Sequence, residues 1–266
     1  MISIFQALVL GIVQGIAEFL PISSTAHLIL VPYFLGWPDP GLSFDVALHV
    51  GTLLAVLAFF WKDWLNIFGS TYKNLKTNGL KSWKNDLLFL LVIGTIPGAI
   101  FGVLLESKAD TVFRSPVLIA CTLILAGILL YWADKNFKGG KDLKELNLKD
   151  SIIIGLAQTV AIIPGVSRSG ATITAGLTRK LNKISAARFS FLLSTPIIAG
   201  AALIKLPHLF KEGITAPILV GILASAISGF FAIKYLLKFL EKRGYAVFFW
   251  YRLLLGVAIL LFVFLR

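Results

Sequence analysis

The chain has 266 residues, 58% of them hydrophobic and 14% charged, with a net charge of +12 and a mean hydropathy of +0.88. Soluble domains average about 45–50% apolar and about 25% charged residues, so this composition excludes an ordinary soluble domain, a disordered chain, a coiled coil and a secreted mini-domain. The basic excess lies in short loops between apolar runs rather than with aromatics on one face, which argues for membrane topology and against a nucleic-acid partner.

The first apolar stretch, 2–36, has no basic residues ahead of it; the first Lys or Arg is Lys62. This stretch is therefore expected to belong to the mature fold rather than to a cleaved leader. Pro21-Ile22-Ser23-Ser24-Thr25 interrupts it near its middle, as in a broken helix. Full spans are expected near 43–61, 87–105 and 115–133, each about long enough to cross roughly 30 Å of hydrocarbon. Cys121 lies in the third of these; a single cysteine allows no disulfide within the chain and reads as a packing residue. A second interrupted stretch, 151–178, carries Pro164-Gly165-Val166-Ser167-Arg168-Ser169-Gly170, and further spans follow near 188–204, 217–237 and 246–265.

The two interrupted stretches resemble each other. Gly11-Ile12-Val13-Gln14 and Gly155-Leu156-Ala157-Gln158 are 144 residues apart, and each precedes a proline and a hydroxyl cluster. Phe44 to Ala55 can be laid on Phe189 to Ala199 at an offset of 145. The expected fold is an all-α polytopic membrane protein with six transmembrane helices and two re-entrant helical hairpins in an inverted-topology repeat. It forms one membrane domain, 1–266, with halves at about 1–135 and 150–266. Sixteen loop Lys and Arg then fall on one side and five on the other, which makes the first side cytoplasmic and places both termini outside. The two hairpins would enter from opposite faces and meet near the midplane.

Charged residues inside apolar segments are costly and are functional candidates by default. They are Glu18, Asp45, Arg168, Arg188, Lys234 and Arg252. Lys234 reads as snorkelling from a span end. Arg188 and Arg252 stand open between structural ion pairing and a place in a site. Gln14 and Glu18 share one helix face, and Ser23-Ser24-Thr25 and His27 follow, so a carboxylate, hydroxyls and an imidazole are concentrated as a general base, nucleophile and proton carrier would be. The plainer reading makes the hydroxyls helix caps and His27 a core residue. In the second motif, Arg168 amid Ser167, Ser169, Gly170 and Thr172 has the chemistry of a phosphate cradle. Its plainer reading is a capped helix break whose arginine is neutralised by Glu18 or Asp45. Phosphate beside a carboxylate leaves room for Mg²⁺ or Ca²⁺, and no zinc motif is present.

At Gln14-Gly15-Ile16-Ala17-Glu18 and Pro164-Gly165-Val166-Ser167-Arg168-Ser169-Gly170-Ala171-Thr172 the chain resembles the bacterial undecaprenyl-diphosphate phosphatase family, which is linked with bacitracin resistance. FLPISSTAHL, FDVALHVGTLLAV and Tyr251-Arg252 extend the resemblance over nearly the whole chain. The resemblance implies a multi-pass enzyme of the bacterial inner membrane that hydrolyses undecaprenyl diphosphate with a divalent cation and recycles the lipid carrier for cell-wall synthesis. It implies Ser24 as nucleophile, Glu18 as its activator or metal ligand, Arg168 as phosphate clamp, and His27 as proton carrier or alternative nucleophile. Gln14, Ser167, Ser169 and Thr172 would support the phosphate. Many members carry a second glutamate where this chain has Gln14, so Glu18 would act alone among carboxylates. The implied partners are the polyprenyl diphosphate and membrane lipid, with a homodimer left open as the assembly. The competing class is a transporter or flippase of a phosphorylated lipid, since broken helices meeting at the midplane also build transport sites.

Overall fold

The computed structural model describes residues 2–79, 86–109, 115–213 and 215–265. Of the loop cations counted above, Lys81, Lys84, Arg114 and Arg266 lie outside the described residues, as do the side chains of Lys108, Lys205 and Lys211. The elements in chain order are α1 (Ile4–Phe19), α2 (Ser24–Leu35), α3 (Leu42–Phe59), α4 (Trp61–Asn78), α5 (Leu87–Ala109), α6 (Pro116–Asn136), α7 (Leu148–Val160), α8 (Arg168–Thr178), α9 (Lys183–Glu212), α10 (Ala216–Leu240) and α11 (Ala246–Phe264), with one 3₁₀ turn at Leu143–Glu145. No β-strand occurs among the described residues.

Five helices, α5, α6, α9, α10 and α11, contain single stretches long and apolar enough to cross a membrane. The span expected over 43–61 qualifies only together with its successor: α3 ends at Phe59, and α4 continues from Trp61 at a bend of 69°. The region expected to be a loop after residue 61 thus begins as a helix. Its cause is legible afterwards, since Trp64, Ile67 and Thr71 share one face and Lys62, Lys73 and Lys76 fall elsewhere. The α9 helix starts five residues before its expected span because Asn182 Oδ1 accepts the Ser185 N–H at 2.8 Å and caps it. Cys121 corrects the packing assignment, because it is exposed on the outer face of α6.

Both apolar stretches are broken where proline and the hydroxyl clusters stand, giving α1 then α2, and α7 then α8. The breaks share their construction. Ser3 and Gln6 form a capping box at the start of α1, and Asn147 and Asp150 form one at the start of α7, 144 residues later. Ser23 and Ser167, again 144 apart, cap α2 and α8 with φ of 74° and 73°. Positive φ in a non-glycine residue is strained, and here the same strain occurs twice at corresponding loops.

Small residues bring these segments against spans distant in sequence. Gly11 and Gly15 of α1 face Gly221, Ser225 and Gly229 of α10, and Gly155 of α7 lies on Gly94 of α5. A methyl group on Gly11 would sit 2.9 Å from Ala224 Cβ, so the backbones touch as closely as small-residue stripes in membranes allow. Thus α1 packs on α10, α7 packs on α5, and α6 and α11 pack on each other.

At the loop end of α7, Asp150 is fully buried and accepts from Lys141, from Arg179 Nε at 2.9 Å and from the Asn147 N–H at 3.1 Å. Burial alone would push its carboxyl up, but these partners outweigh it and hold the group below the usual carboxylate range. A depressed folded value contributes stability that is present above the unfolded value and is lost as pH falls through the folded one. Asp150→Asn is therefore expected to lower the thermal midpoint of the detergent-solubilised protein at pH 7, by an effect of about 1–3 kcal/mol. The difference from wild type should shrink below about pH 4; a midpoint equal to wild type at pH 7 would refute the assignment.

Candidate active site

The chain reversal at Pro21 brings α2 back beside α1 and carries Ser24 to Glu18. Ser24 Oγ donates to Glu18 Oε2 at 2.6 Å, and Gln14 Nε2 donates to the same oxygen at 3.1 Å from one helical turn earlier. The other oxygen, Oε1, accepts from Arg168 Nη2 at 2.8 Å, although 150 residues separate the two in sequence. Arg168 Nη1 donates to the Ser190 carbonyl at 3.1 Å. Glu18 and Ser24 are buried, while Arg168 retains 14% side-chain exposure, enough for a further acceptor to reach the guanidinium.

The second loop is clamped onto the first. Ser23 Oγ accepts the Gly165 N–H at 3.0 Å, and Ser169 Oγ donates to the Leu20 carbonyl at 3.1 Å. Thr122 on α6 donates to the Pro164 carbonyl at 2.6 Å. Arg252, fully buried on α11, reaches both loops: Nη1 donates to Pro21 O at 3.1 Å, and Nη2 to Gly165 O at 2.8 Å and Val166 O at 3.0 Å. Its Nε donates to Leu123 O at 3.0 Å. The starts of α2 and α8 are thereby fixed near each other, and two helix N-termini supply partial positive charge beside Arg168.

The other residues singled out from sequence fall into two groups. Ser167 Oγ accepts the Gly170 N–H at 3.1 Å, and Thr172 Oγ1 donates to Arg168 O at 2.8 Å and shares a contact of 2.7 Å with Ser190 Oγ. With Ser169, these hydroxyls shape the loop that presents Arg168. His27 is joined to neither Glu18 nor Arg168; its Nδ1 contacts Ser23 O at 2.7 Å and its Nε2 contacts Tyr251 Oη at 2.6 Å. Arg188 lies elsewhere, paired with Asp63 and 5.3 Å over the Phe60 ring, at a cavity of about 1310 Å³ that Lys183 and Asp134 also line. Between the two partners named from sequence for Arg168, the structure selects Glu18 over Asp45.

His49 was not singled out from the sequence. Its Nε2 lies 3.5 Å from Glu18 Oε2 and its Nδ1 lies 2.7 Å from Asp45 O. A histidine one turn after Asp45 in an apolar span was the available signal. Ser190 was also missed, although it stands at the offset of 145 from Asp45. For a divalent cation, the donor set holds no trio of His, Cys, Asp or Glu among the described residues. It holds the Glu18 carboxylate and the buried Gln14 Oε1, which has no hydrogen-bond partner. Hard cations that keep water and substrate oxygens as their remaining ligands fit such a sparse set.

Residues 7–258 match the family model described as bacitracin resistance protein BacA. The undecaprenyl-diphosphatase of Moorella thermoacetica is 52% identical over 267 residues, covering 99% of each chain. The proteins of the same name from Pelotomaculum thermopropionicum and Gemmatimonas aurantiaca are 51% and 48% identical, covering 97% of this chain and 96% and 97% of their own lengths. With the matched region spanning both broken helices and their joined loops, the chain belongs to the BacA bacitracin resistance protein family.

Proposed function

We infer that this chain is an integral membrane undecaprenyl-diphosphatase that hydrolyses undecaprenyl diphosphate to undecaprenyl phosphate and inorganic phosphate, and so recycles the lipid carrier for cell-wall synthesis. The shared name of relatives at about half identity supports the substrate. The observation that carries the chemistry is the single carboxylate of Glu18, which receives the Ser24 hydroxyl on one oxygen and the Arg168 guanidinium on the other.

In this reading the terminal phosphate lies against Arg168 and the start of α8. Ser24 Oγ attacks the terminal phosphorus while its proton passes to Glu18 Oε2. The bond from that phosphorus to the bridging oxygen breaks, and the lipid monophosphate leaves with the bridging oxygen. Water then attacks the phosphoserine, releasing inorganic phosphate and regenerating Ser24 with its proton. Arg168 stabilises the charge on the transferring phosphoryl group. Glu18 and Gln14 Oε1 would hold Mg²⁺ or Ca²⁺, which would supply charge neutralisation at the diphosphate. His27 bonded to Tyr251 is a route for protons at the edge of the site. The halves are read as an inverted repeat in the bacterial inner membrane, with both termini outside; the lysine-rich loops and the twinned caps support this.

The test is phosphate release from undecaprenyl diphosphate by purified protein in detergent, with and without EDTA. Cation-dependent release is expected, reduced by at least about 10²-fold in Ser24→Ala. No release by folded, cation-supplied wild type would overturn the phosphatase reading and favour a transporter of the phosphorylated lipid.

A further inference from the structure

The α4 helix carries an apolar face that is not packed against the fold. Trp61, Leu65, Phe68, Tyr72 and Leu75 recur at helical spacing and fall within about 80° of arc on a helix of 3.6 residues per turn. Each is between 43% and 69% exposed, so they form a continuous stripe rather than the scattered exposure of single side chains. The other sides of the helix are accounted for. Asp63, Asn66, Ser70 and Asn74 lie opposite the stripe and line the cavity of about 1310 Å³, where Asp63 pairs with Arg188 of α9. The same cavity takes Lys135 from the end of α6, Lys138 just beyond it and Lys144 of the 3₁₀ turn, so it belongs to the lysine-rich loops. Thr71 and Asn74 donate to Asp86, ahead of α5, at 2.5 Å and 3.3 Å. These bonds fix the rotation of α4 and turn the stripe outward.

Such a stripe needs an apolar partner, and the bend places one beside it. The apolar α3 ends at Phe59, and α4 leaves it at 69°. A span that reaches the bilayer boundary and turns by this angle lays its successor along the membrane surface rather than through it. Crossing would carry Lys62, Asn66, Lys73, Asn74 and Lys76 into hydrocarbon, which is costly. At the turn stands Trp61, a residue type that anchors at headgroup level, with Lys62 Nζ 5.3 Å from its ring centre.

Charge selects among membrane lipids. Lys62, Lys73 and Lys76 share one flank of the stripe, and among the described residues no carboxylate pairs with them. The one acidic residue of α4, Asp63, is turned into the cavity. A second copy of the chain on this face would bring the same lysines and no answering acid, whereas an anionic headgroup layer supplies the missing charge. We propose that α4 is an in-plane interfacial helix that binds anionic phospholipid. Its stripe enters the boundary between headgroups and acyl chains, and Lys62, Lys73 and Lys76 engage the lipid phosphates.

The test uses full-length Cys121→Ser protein in vesicles of phosphatidylcholine and phosphatidylglycerol, with one nitroxide at Leu65→Cys, Phe68→Cys or Tyr72→Cys on the stripe, or at Ser70→Cys opposite. The stripe probes are expected to be open to oxygen, closed to a water-soluble nickel complex and at one depth, about 5–10 Å into the headgroup and acyl boundary. The Ser70→Cys probe should be open to nickel. Nickel access along the stripe, or a depth change of roughly 10 Å between positions 65 and 72 as in a crossing helix, would overturn the in-plane assignment. Spin–spin broadening between copies at the stripe would put a second chain in place of lipid and overturn it as well. For headgroup choice, a fluorophore at Tyr72→Cys is quenched by brominated phosphatidylglycerol or brominated phosphatidylcholine at equal fraction. A preference for phosphatidylglycerol of about fivefold or more is expected, lost in Lys62→Gln/Lys73→Gln/Lys76→Gln with the thermal midpoint unchanged. Equal quenching by the two lipids, or a preference that survives in the triple variant, would overturn the anionic-lipid assignment. Neither measurement reads turnover, so both are independent of the phosphatase reading.

Discussion

Arg168→Lys is expected to reduce phosphate release by about 10³-fold or more, the scale seen when an arginine that neutralises a transferring phosphoryl group is lost. Lysine keeps the charge but not the fork. In the wild type one arm of the guanidinium holds Glu18 Oε1 at 2.8 Å and the other holds the Ser190 carbonyl at 3.1 Å, a pair of directions that one ammonium cannot reproduce. Glu18→Gln is expected to lose about 10²–10⁴-fold by removing the acceptor for the Ser24 proton. Because removing one member of a buried pair leaves the other uncompensated, each variant must be shown to keep its thermal midpoint within a few degrees before its rate is read. The double variant should be little slower than the worse single variant, since both residues serve one phosphoryl transfer. Wild-type turnover in either folded single variant would remove these residues from the chemistry.

Arg252→Met is expected to damage both stability and turnover, by a different route. Arg252 does not meet Glu18 or Ser24; its donors are spent on the carbonyls of Leu123, Pro21, Gly165 and Val166. Two of those belong to the second loop and one to the first, so the guanidinium sets the distance between them. Its stem passes Gly127 and its Nη1 lies where a methyl on Gly170 would come within 2.9 Å, so there is no room for a larger neighbour. Deleting it strands buried carbonyls, each worth about 1–3 kcal/mol, partly offset by no longer burying a cation. A misplacement of the loops by about 1 Å would by itself cost on the order of 10²-fold in rate. Arg252→Lys should recover little of the rate, because one ammonium cannot bond to both loops and to Leu123. A variant with wild-type melting and turnover would show that the loops hold their spacing without it.

The apolar runs, the proline breaks and the 144-residue correspondence could all be read from the chain itself. Span length and hydropathy are set by the bilayer, and helix interruption by proline and hydroxyl caps is local. The strongest local signals survived intact: Ser23 and Ser167 do cap helices, as the plainer reading held, and Ser24 and Arg168 immediately after them both meet Glu18. The capping reading of these motifs is borne out, and the residues put forward for chemistry stand immediately after the caps and meet at one carboxylate. What failed locally was the region after residue 61, where a polar, aromatic-rich helix lacked the uniform hydropathy that marks a span.

The sequence by itself determined that the chain is an all-helical membrane protein with two broken helices and a concentrated set of polar residues at each break. Which of those residues touch was decided by tertiary structure. Glu18 and Arg168 are 150 residues apart, and their pairing depends on close small-residue packing of α1 on α10 and α7 on α5, together with the Arg252 bonds to both loops. The roles of Arg188, Arg252 and His49 could not be separated in advance because each is a lone polar residue in an apolar run. Their partners, Asp63, the loop carbonyls and Glu18, lie on other elements. Local periodicity specifies which face of a helix is polar, but only the packing of helices across the fold specifies what that face meets.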